Sequence, residues 1–244
     1  MSLLSVVRNA MAICSMPAPQ QVFSNIDPSV TQMLALLYMQ GRDLVKRHDW
    51  SVLQVTETLT CIAANAQTGY PVAAFDRMAR GSQVWNTSKD WPIHGPVSAD
   101  EWGDLIVRNA VTLPQYWRLL GGVLNIYAPT VGDGVRYEYI SKYWIFNNGA
   151  PLGLAPSSLV TGAAESFISD SDTFLFPEEL LELGLIWRWK QAKQLDYAED
   201  MRNFEIALRN AIDSDKGGRR VIGTDRARLE RPFKSWPGTI TPVA

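Results

Sequence analysis

The chain has 244 residues, 46% hydrophobic and 20% charged, with a formal net charge of −2. Such a balance is ordinary for a globular protein and excludes a global field that attracts nucleic acid or an anionic membrane. No run of about 18 apolar residues exists, which excludes a transmembrane helix. The two cysteines, Cys14 and Cys61, make no disulfide framework and read as a reducing compartment or as indifference to redox.

In chain order, residues 1–15 are the first predicted helix. Leu3, Leu4, Val7, Met11 and Cys14 recur at helical spacing, and Pro17 and Pro19 end it. No basic segment precedes this apolar stretch, and Arg8 and Asn9 interrupt it, so no secretion signal is expected. A second helix starts with Asp27 as N-cap and Pro28 at the first helical position. It carries Val30, Met33, Leu34, Leu37 and Leu44 on one stripe and closes near Arg47 with cations, which suit a helix C-terminus.

From Val52 to Ile62, threonines alternate loosely with apolar residues, the pattern of a strand. Ser98-Ala99-Asp100-Glu101 is a capping box that opens a short helix through Trp102, Leu105 and Ile106. Tyr116 to Tyr127 reads as a hairpin turning at Gly121-Gly122. Asp133-Gly134 is a further turn, and the strand after it alternates Val135, Tyr137 and Tyr139 with Arg136 and Glu138, running on toward Phe146. Residues 147–172 read as a long loop.

One long helix is predicted from Pro177, with Glu178, Glu179 and Glu182 at its positive end and Leu175 stapled to Leu180. Its stripe runs through Leu180, Leu183, Trp187, Tyr197, Met201, Phe204, Leu208 and Ile212 to a stop at Gly217-Gly218, and Gly184 is its weak position. The fold class is therefore α+β. Residues 1–50 and 177–214 form a helical core of two N-terminal helices plus one long C-terminal helix. Residues 51–176 form a β-rich antiparallel insertion, and residues 215–244 an extended basic C-terminal arm.

Little in this pattern points to catalysis. Two histidines, His48 and His94, are present, and no Cys-x-x-Cys or His-x-x-x-His spacing occurs. Asp170-Ser171-Asp172 lacks the glycine and distal glutamate of a calcium loop and reads as a turn with caps. No Gly-x-Ser-x-Gly occurs, and Gly132-Asp133-Gly134 sits in a hairpin context without a phosphate-binding lysine. A sugar-cleaving or sugar-binding site in the aromatic β region is an alternative, with Glu57, Glu101, Asp104 and Glu138 as carboxylates, although nothing pairs two of them. No metal or cofactor is expected.

The nine tryptophans raise a different possibility, since large aromatics fill cores and also anchor interfaces. Trp187 and Trp189 lie about 200° apart around a helix, so both cannot face one core. With Arg188 and Lys190 between and beside them, these four residues are candidates for a subunit interface; wrapping by the chain's own β region is the other reading. Residues 215–236 carry seven cations against three acids, a net +4, which leaves −6 for the rest of the chain. Arg219, Arg220, Arg226, Arg228, Arg231 and Lys234 supply charge, and Phe233, Trp236 and Ile240 supply apolar anchors. That mixture suits docking in an acidic protein groove better than a pure phosphate stripe.

Several segments together resemble the head-to-tail adaptor (head completion, or portal connector) proteins of tailed bacteriophages. They are Lys46-Arg47-His48-Asp49-Trp50, Trp91-Pro92-Ile93-His94-Gly95-Pro96, Tyr137-Glu138-Tyr139-Ile140-Ser141-Lys142-Tyr143-Trp144, Leu183-Gly184-Leu185-Ile186-Trp187-Arg188-Trp189-Lys190 and Asp196-Tyr197-Ala198-Glu199-Asp200. The resemblance spans about Met1 to Val221. It implies a virion structural protein of the neck, without enzymatic activity, assembled in the host cytoplasm as a ring of about twelve copies. The implied partners are the portal protein, neighbouring adaptor subunits, a tail nozzle or tail-tube protein, and genomic DNA passing through the lumen without sequence-specific binding. The arm over residues 215–244 is the implied portal contact. A tail-tube or tail-completion protein is the alternative within the virion.

Overall fold

The computed structural model describes residues 2–108, 115–147 and 162–215. The fold is α+β, as the pattern predicts. Helix α1 spans Leu3–Ile13 and opens with a capping box, in which the Ser2 hydroxyl accepts from the Ser5 amide and the Ser5 hydroxyl from the Ser2 amide. Helix α2 spans Pro28–Arg47, and the Asp27 carboxylate accepts from the Ser29 amide at 2.7 Å. A 3-10 turn, Ser51–Leu53, leads into strand β1, Gln54–Thr60. Strands β2 (Phe75–Met78), β3 (Val84–Asn86) and β4 (Trp91–Ile93) precede helix α3, Ala99–Arg108. The expected capping box is present there, with the Ser98 amide donating to Glu101 and the Glu101 amide to Ser98.

Strands β5 (Tyr116–Leu120) and β6 (Val123–Tyr127) form the hairpin. Gly121 and Gly122 turn it at φ of 58° and 78°, values that glycine adopts without penalty. Strand β7, Gly134–Ser141, organises the main sheet. All of its pairings are antiparallel: β1 covers one edge along its length, while β3 and β2 share the other edge, one on each half. β4 extends the sheet beyond β3. Short strands β8 (Ile145–Phe146), β9 (Ala163–Ala164) and β10 (Thr173–Phe174) make a second small sheet.

The strand expected to run to Phe146 ends at Ser141 instead. The Ser141 hydroxyl accepts the Tyr143 amide at 3.0 Å and bends the chain, so that Trp144 leaves the sheet and enters the helical layer. The residues of β7 serve two cores: Val135, Tyr137 and Tyr139 face the β-rich core with Val55, Leu59 and Trp117, while Ile140 faces the helices.

The single long C-terminal helix is two. Helix α4 is Glu178–Ala192, beginning one residue after Pro177, and α5 is Ala198–Asp215. The break is a left-handed C-terminal cap without glycine. Gln194 takes φ of 58°, its amide bonds the Gln191 carbonyl, and the Leu195 amide bonds the Lys190 carbonyl. The Asp196 carboxylate then accepts from the Ala198 amide to start α5. Folded back, α5 lays Phe204 on Trp187, ring centroids 6.1 Å apart, and buries Phe204 and Leu208.

Two glycines set how closely the layers pack. A Cβ on Gly184 would overlap the side chain of Gln40, and a Cβ on Gly41 would overlap the ring of Trp144. The weak helical position is thus the price of a close α2–α4 approach. Trp144 is wholly buried and hemmed in by Tyr38, Phe167, Phe174 and Phe176, so its ring has nowhere to move. Gly41→Ala should therefore lower stability by roughly 1–3 kcal/mol, the usual cost of overpacking, although Ala favours helix over Gly. A urea midpoint equal to or above the parent's would refute this.

Candidate functional site

The arm residues Arg219, Arg220, Arg226, Arg228, Arg231, Phe233, Lys234, Trp236 and Ile240 lie outside the described residues, but the point from which the arm departs is well defined. Asp215 closes α5, an end where the helix dipole disfavours a carboxylate. The fold compensates. The Ser51 amide donates to Asp215 at 2.9 Å and the Ser51 hydroxyl at 2.7 Å, and His48 Nε2 stands 3.3 Å from the same carboxylate. His48 in turn sits edge-on to Trp50, whose indole donates to the Leu44 carbonyl near the end of α2. The last residue of α5 is therefore clamped to the α2–β1 junction.

Ser, His and Asp meet here, yet the order is wrong for catalysis. A nucleophilic serine must give its proton to the imidazole, which the carboxylate then orients. In this cluster the Ser51 hydroxyl bonds the carboxylate directly, and Asp215 stands between the other two. The cluster is an anchor.

The four interface candidates all make contacts within the chain, and Arg188, Trp189 and Lys190 stay partly exposed. Trp187 is 7% exposed beneath α5, and Arg188 lies over its ring at 4.7 Å. Arg188 also donates to Gln40 at 2.6 Å and to Asp43 at 3.0 Å, so it ties α4 to α2. Asp43 takes Arg47 as well, and Arg47 reaches Glu205 on α5. Trp189 is half-buried against the same core, and Lys190 binds Asp200 at 2.6 Å across the α4–α5 turn. The second surface demanded by two opposed tryptophans is the chain's own α5 packing on α4. The β region does not supply it.

The carboxylates proposed for sugar chemistry do not converge. Glu57 is paired with Tyr137 on the inner face of the sheet, whereas Glu138, opposite Thr56, points to the outer face. Glu101 is used in the α3 cap, and Asp104 pairs with Arg108 at 3.3 Å. Among the described residues no group of three or more His, Cys, Asp or Glu could hold a metal ion. Asp172 accepts from the Ile168 and Ser169 amides, the local turn role expected of that segment, whereas Asp170 accepts from the distant Val22 and Phe23 amides and ties the segment to the stretch after α1. Burial pushes the Cys61 thiol up to about 11, with the Asp133 charge adding to it, so Cys61 stays protonated near neutral pH.

The outer face of the sheet does hold an open groove of about 470 Å³. Trp85, Arg136, Glu138, Gln83 and Asp90 line it, with Trp85 43% exposed. Asn86 builds its floor: its amide donates to Asp133 at 2.7 Å and its oxygen accepts from the Ser88 and Lys89 amides. Lys89 closes on Asp133 at 3.0 Å. No protein-family model matches the chain, and no curated protein is significantly similar to it. Among the described residues no helix is long and apolar enough to cross a membrane.

Burial alone would raise the Asp133 carboxyl. The hydrogen bonds from Asn86 and Lys89, with the Lys89 charge, outweigh it and hold the group below its ordinary 3.8. A carboxylate lowered in the folded state contributes stability above the unfolded value and loses it as pH falls through the folded one. Asp133→Asn should thus cost about 2 kcal/mol at neutral pH, the scale of a charged hydrogen bond. The deficit against the parent should shrink below about pH 4. Denaturation midpoints across pH 2.5–7 (assay range, about 0.5-unit steps) check this, and a deficit independent of pH would contradict it.

Proposed function

We propose that this chain is a head-to-tail adaptor of a tailed bacteriophage. It is a virion structural protein that forms a ring of about twelve copies under the portal, links it to the neck or tail, and lines the DNA channel. The observation that carries the reading is the clamped departure of a basic arm from an acidic body. The arm has a net +4 and the remainder −6. Its first residue is held by Ser51, so the arm starts from a fixed place on the body. An arm so launched suits reaching along a partner subunit, with Arg219 to Lys234 as charges and Phe233, Trp236 and Ile240 as anchors. An acidic body suits a lumen that passes DNA without holding it, because like charge lowers affinity for phosphate. The resemblance over about Met1 to Val221 supports the same assignment, and the neighbouring subunits, the portal, and a tail nozzle or tail-tube protein are its partners.

Deleting residues 217–244 should leave the body folded, with its circular dichroism spectrum retained, and abolish binding to purified portal rings of the same virion. Portal binding that survives the deletion would remove the arm from the interface. Binding of the intact chain to tail tubes and not to portal would move the assignment to a tail-tube or tail-completion protein.

The Trp85 groove favours a second reading, a glycan-binding face. An exposed indole flanked by Arg136, Glu138 and Gln83 offers a sugar both a stacking platform and hydrogen-bonding groups. In that case the intact chain gives hits on a glycan array and Trp85→Ala loses them; an array blank for the intact chain eliminates this reading.

A further inference from the structure

Helices α4 and α5 run antiparallel and leave a second groove, of about 560 Å³, on their outer side. Leu180, Leu183, Ile206, Ala207 and Ala211 give it an apolar floor, and Ile206 is 51% exposed. Ser214 lies at one end, beside the point where the described chain stops. Glu179 stands on the rim, and the last turn of α5 contains no basic residue to face its terminal carbonyls. The groove therefore lacks two things: an apolar filling, and positive charge near Ser214, where a helix C-terminus favours a cation.

The chain resumes after Asp215 as Lys216-Gly217-Gly218-Arg219-Arg220-Val221-Ile222-Gly223. We propose that this segment docks in the α4–α5 groove of its own chain. Val221 and Ile222 enter the apolar floor, and Arg219 and Arg220 face Glu179 and the end of α5. The glycine pair allows the reversal that this requires, since glycine takes positive φ freely. The reach is sufficient. Asn203 to Ser214, the α5 side of the groove, spans about 16 Å at 1.5 Å per residue. An extended segment covers about 3.3 Å per residue, so a return starting at Arg219 brings Val221 and Ile222 level with Asn210 to Ala207. The length of chain, its point of departure and the charges all select the same occupant. The inference does not rest on the adaptor reading. It assigns Arg219 and Arg220 to the body of the protein, and the arm's outward reach then begins near Gly223.

The test is a disulfide in the full-length chain carrying Cys14→Ser, Ala207→Cys and Ile222→Cys under mild oxidation. Ala207 is small and lines the groove, so its replacement leaves the helix packing nearly unchanged, and Cys61 is buried out of reach. The expected result is an intramolecular 207–222 bond in most chains at any protein concentration. It should form at least about tenfold faster than the bond in a control chain with Thr241→Cys in place of Ile222→Cys, as effective concentration dictates. Adding Val221→Asp should slow it several-fold. A crosslinked dimer whose yield rises with concentration would transfer the groove to the arm of a second copy and overturn the proposal, as would a rate equal to the control. If Ala207→Cys lowers the melting temperature, Leu183→Cys on the opposite wall serves the same measurement.

Discussion

Everything in this fold is arranged around the insertion of Trp144 between sheet and helices. The residue follows directly from the main sheet, yet its ring lies against α2 at Gly41 and among Tyr38, Phe167, Phe174 and Phe176. Burying an indole of this size contributes on the order of 2–3 kcal/mol from apolar area, with more from the edge-on and stacked ring contacts. Its larger consequence is geometric. A rigid ring wedged against bare helix backbone fixes the distance and angle between the β-rich and helical layers. The same backbone proximity recurs at the adjacent residue of α2, where Gln40 lies over Gly184 and accepts from Arg188.

Around this wedge the helices are tied by charge as well as by apolar contact. Arg188, Asp43, Arg47 and Glu205 link α4, α2 and α5 in one network. Arg77 on β2 donates to the carbonyls of Val45 and His48 and to Asp49, closing the end of α2 against the sheet. Burial would raise the Asp49 carboxyl, but Arg77, the Arg80 amide and both guanidinium charges outweigh it and hold the group below its usual value. Isolated surface pairs contribute little, about 0–1 kcal/mol. Partly buried and multiply bonded, these are positioned to do more. A rigid body with a clamped exit is what a docking arm needs, because ordering costs are then confined to the arm itself.

Much of this was legible in the residues. Pro28 with Asp27, the Ser98–Glu101 box, the Gly121-Gly122 hairpin and the Val135–Tyr139 alternation all depend on neighbours a few positions apart, and the structure holds each where the spacing placed it. The break between α4 and α5 was not legible. Gln194 stands in a left-handed conformation that glycine usually takes, and no glycine or proline marks the turn. The cost is met by the burial of Phe204 and Leu208 and by the Lys190–Asp200 pair, contacts that exist only once α5 has folded back. The packing of Trp187 under α5 was hidden for the same reason, since a helix with two apolar faces looks alike whether its second cover is another subunit or its own next helix.

The sequence by itself determined the α+β class, most element positions, the segregation of charge between body and arm, and the lack of a motif for metal or nucleophilic chemistry. Those properties are local or additive, so spacing and composition carry them. Only the tertiary structure decided that Gly41 and Gly184 are sites of close approach, that Trp144 belongs to the helices, that Glu57 and Glu138 stand on opposite faces, and that Asp215 is anchored by Ser51. Each joins residues far apart in the chain, and no local preference of either partner reveals the other. Packing density and the need to satisfy buried polar groups choose those partners, and both act only on the assembled molecule.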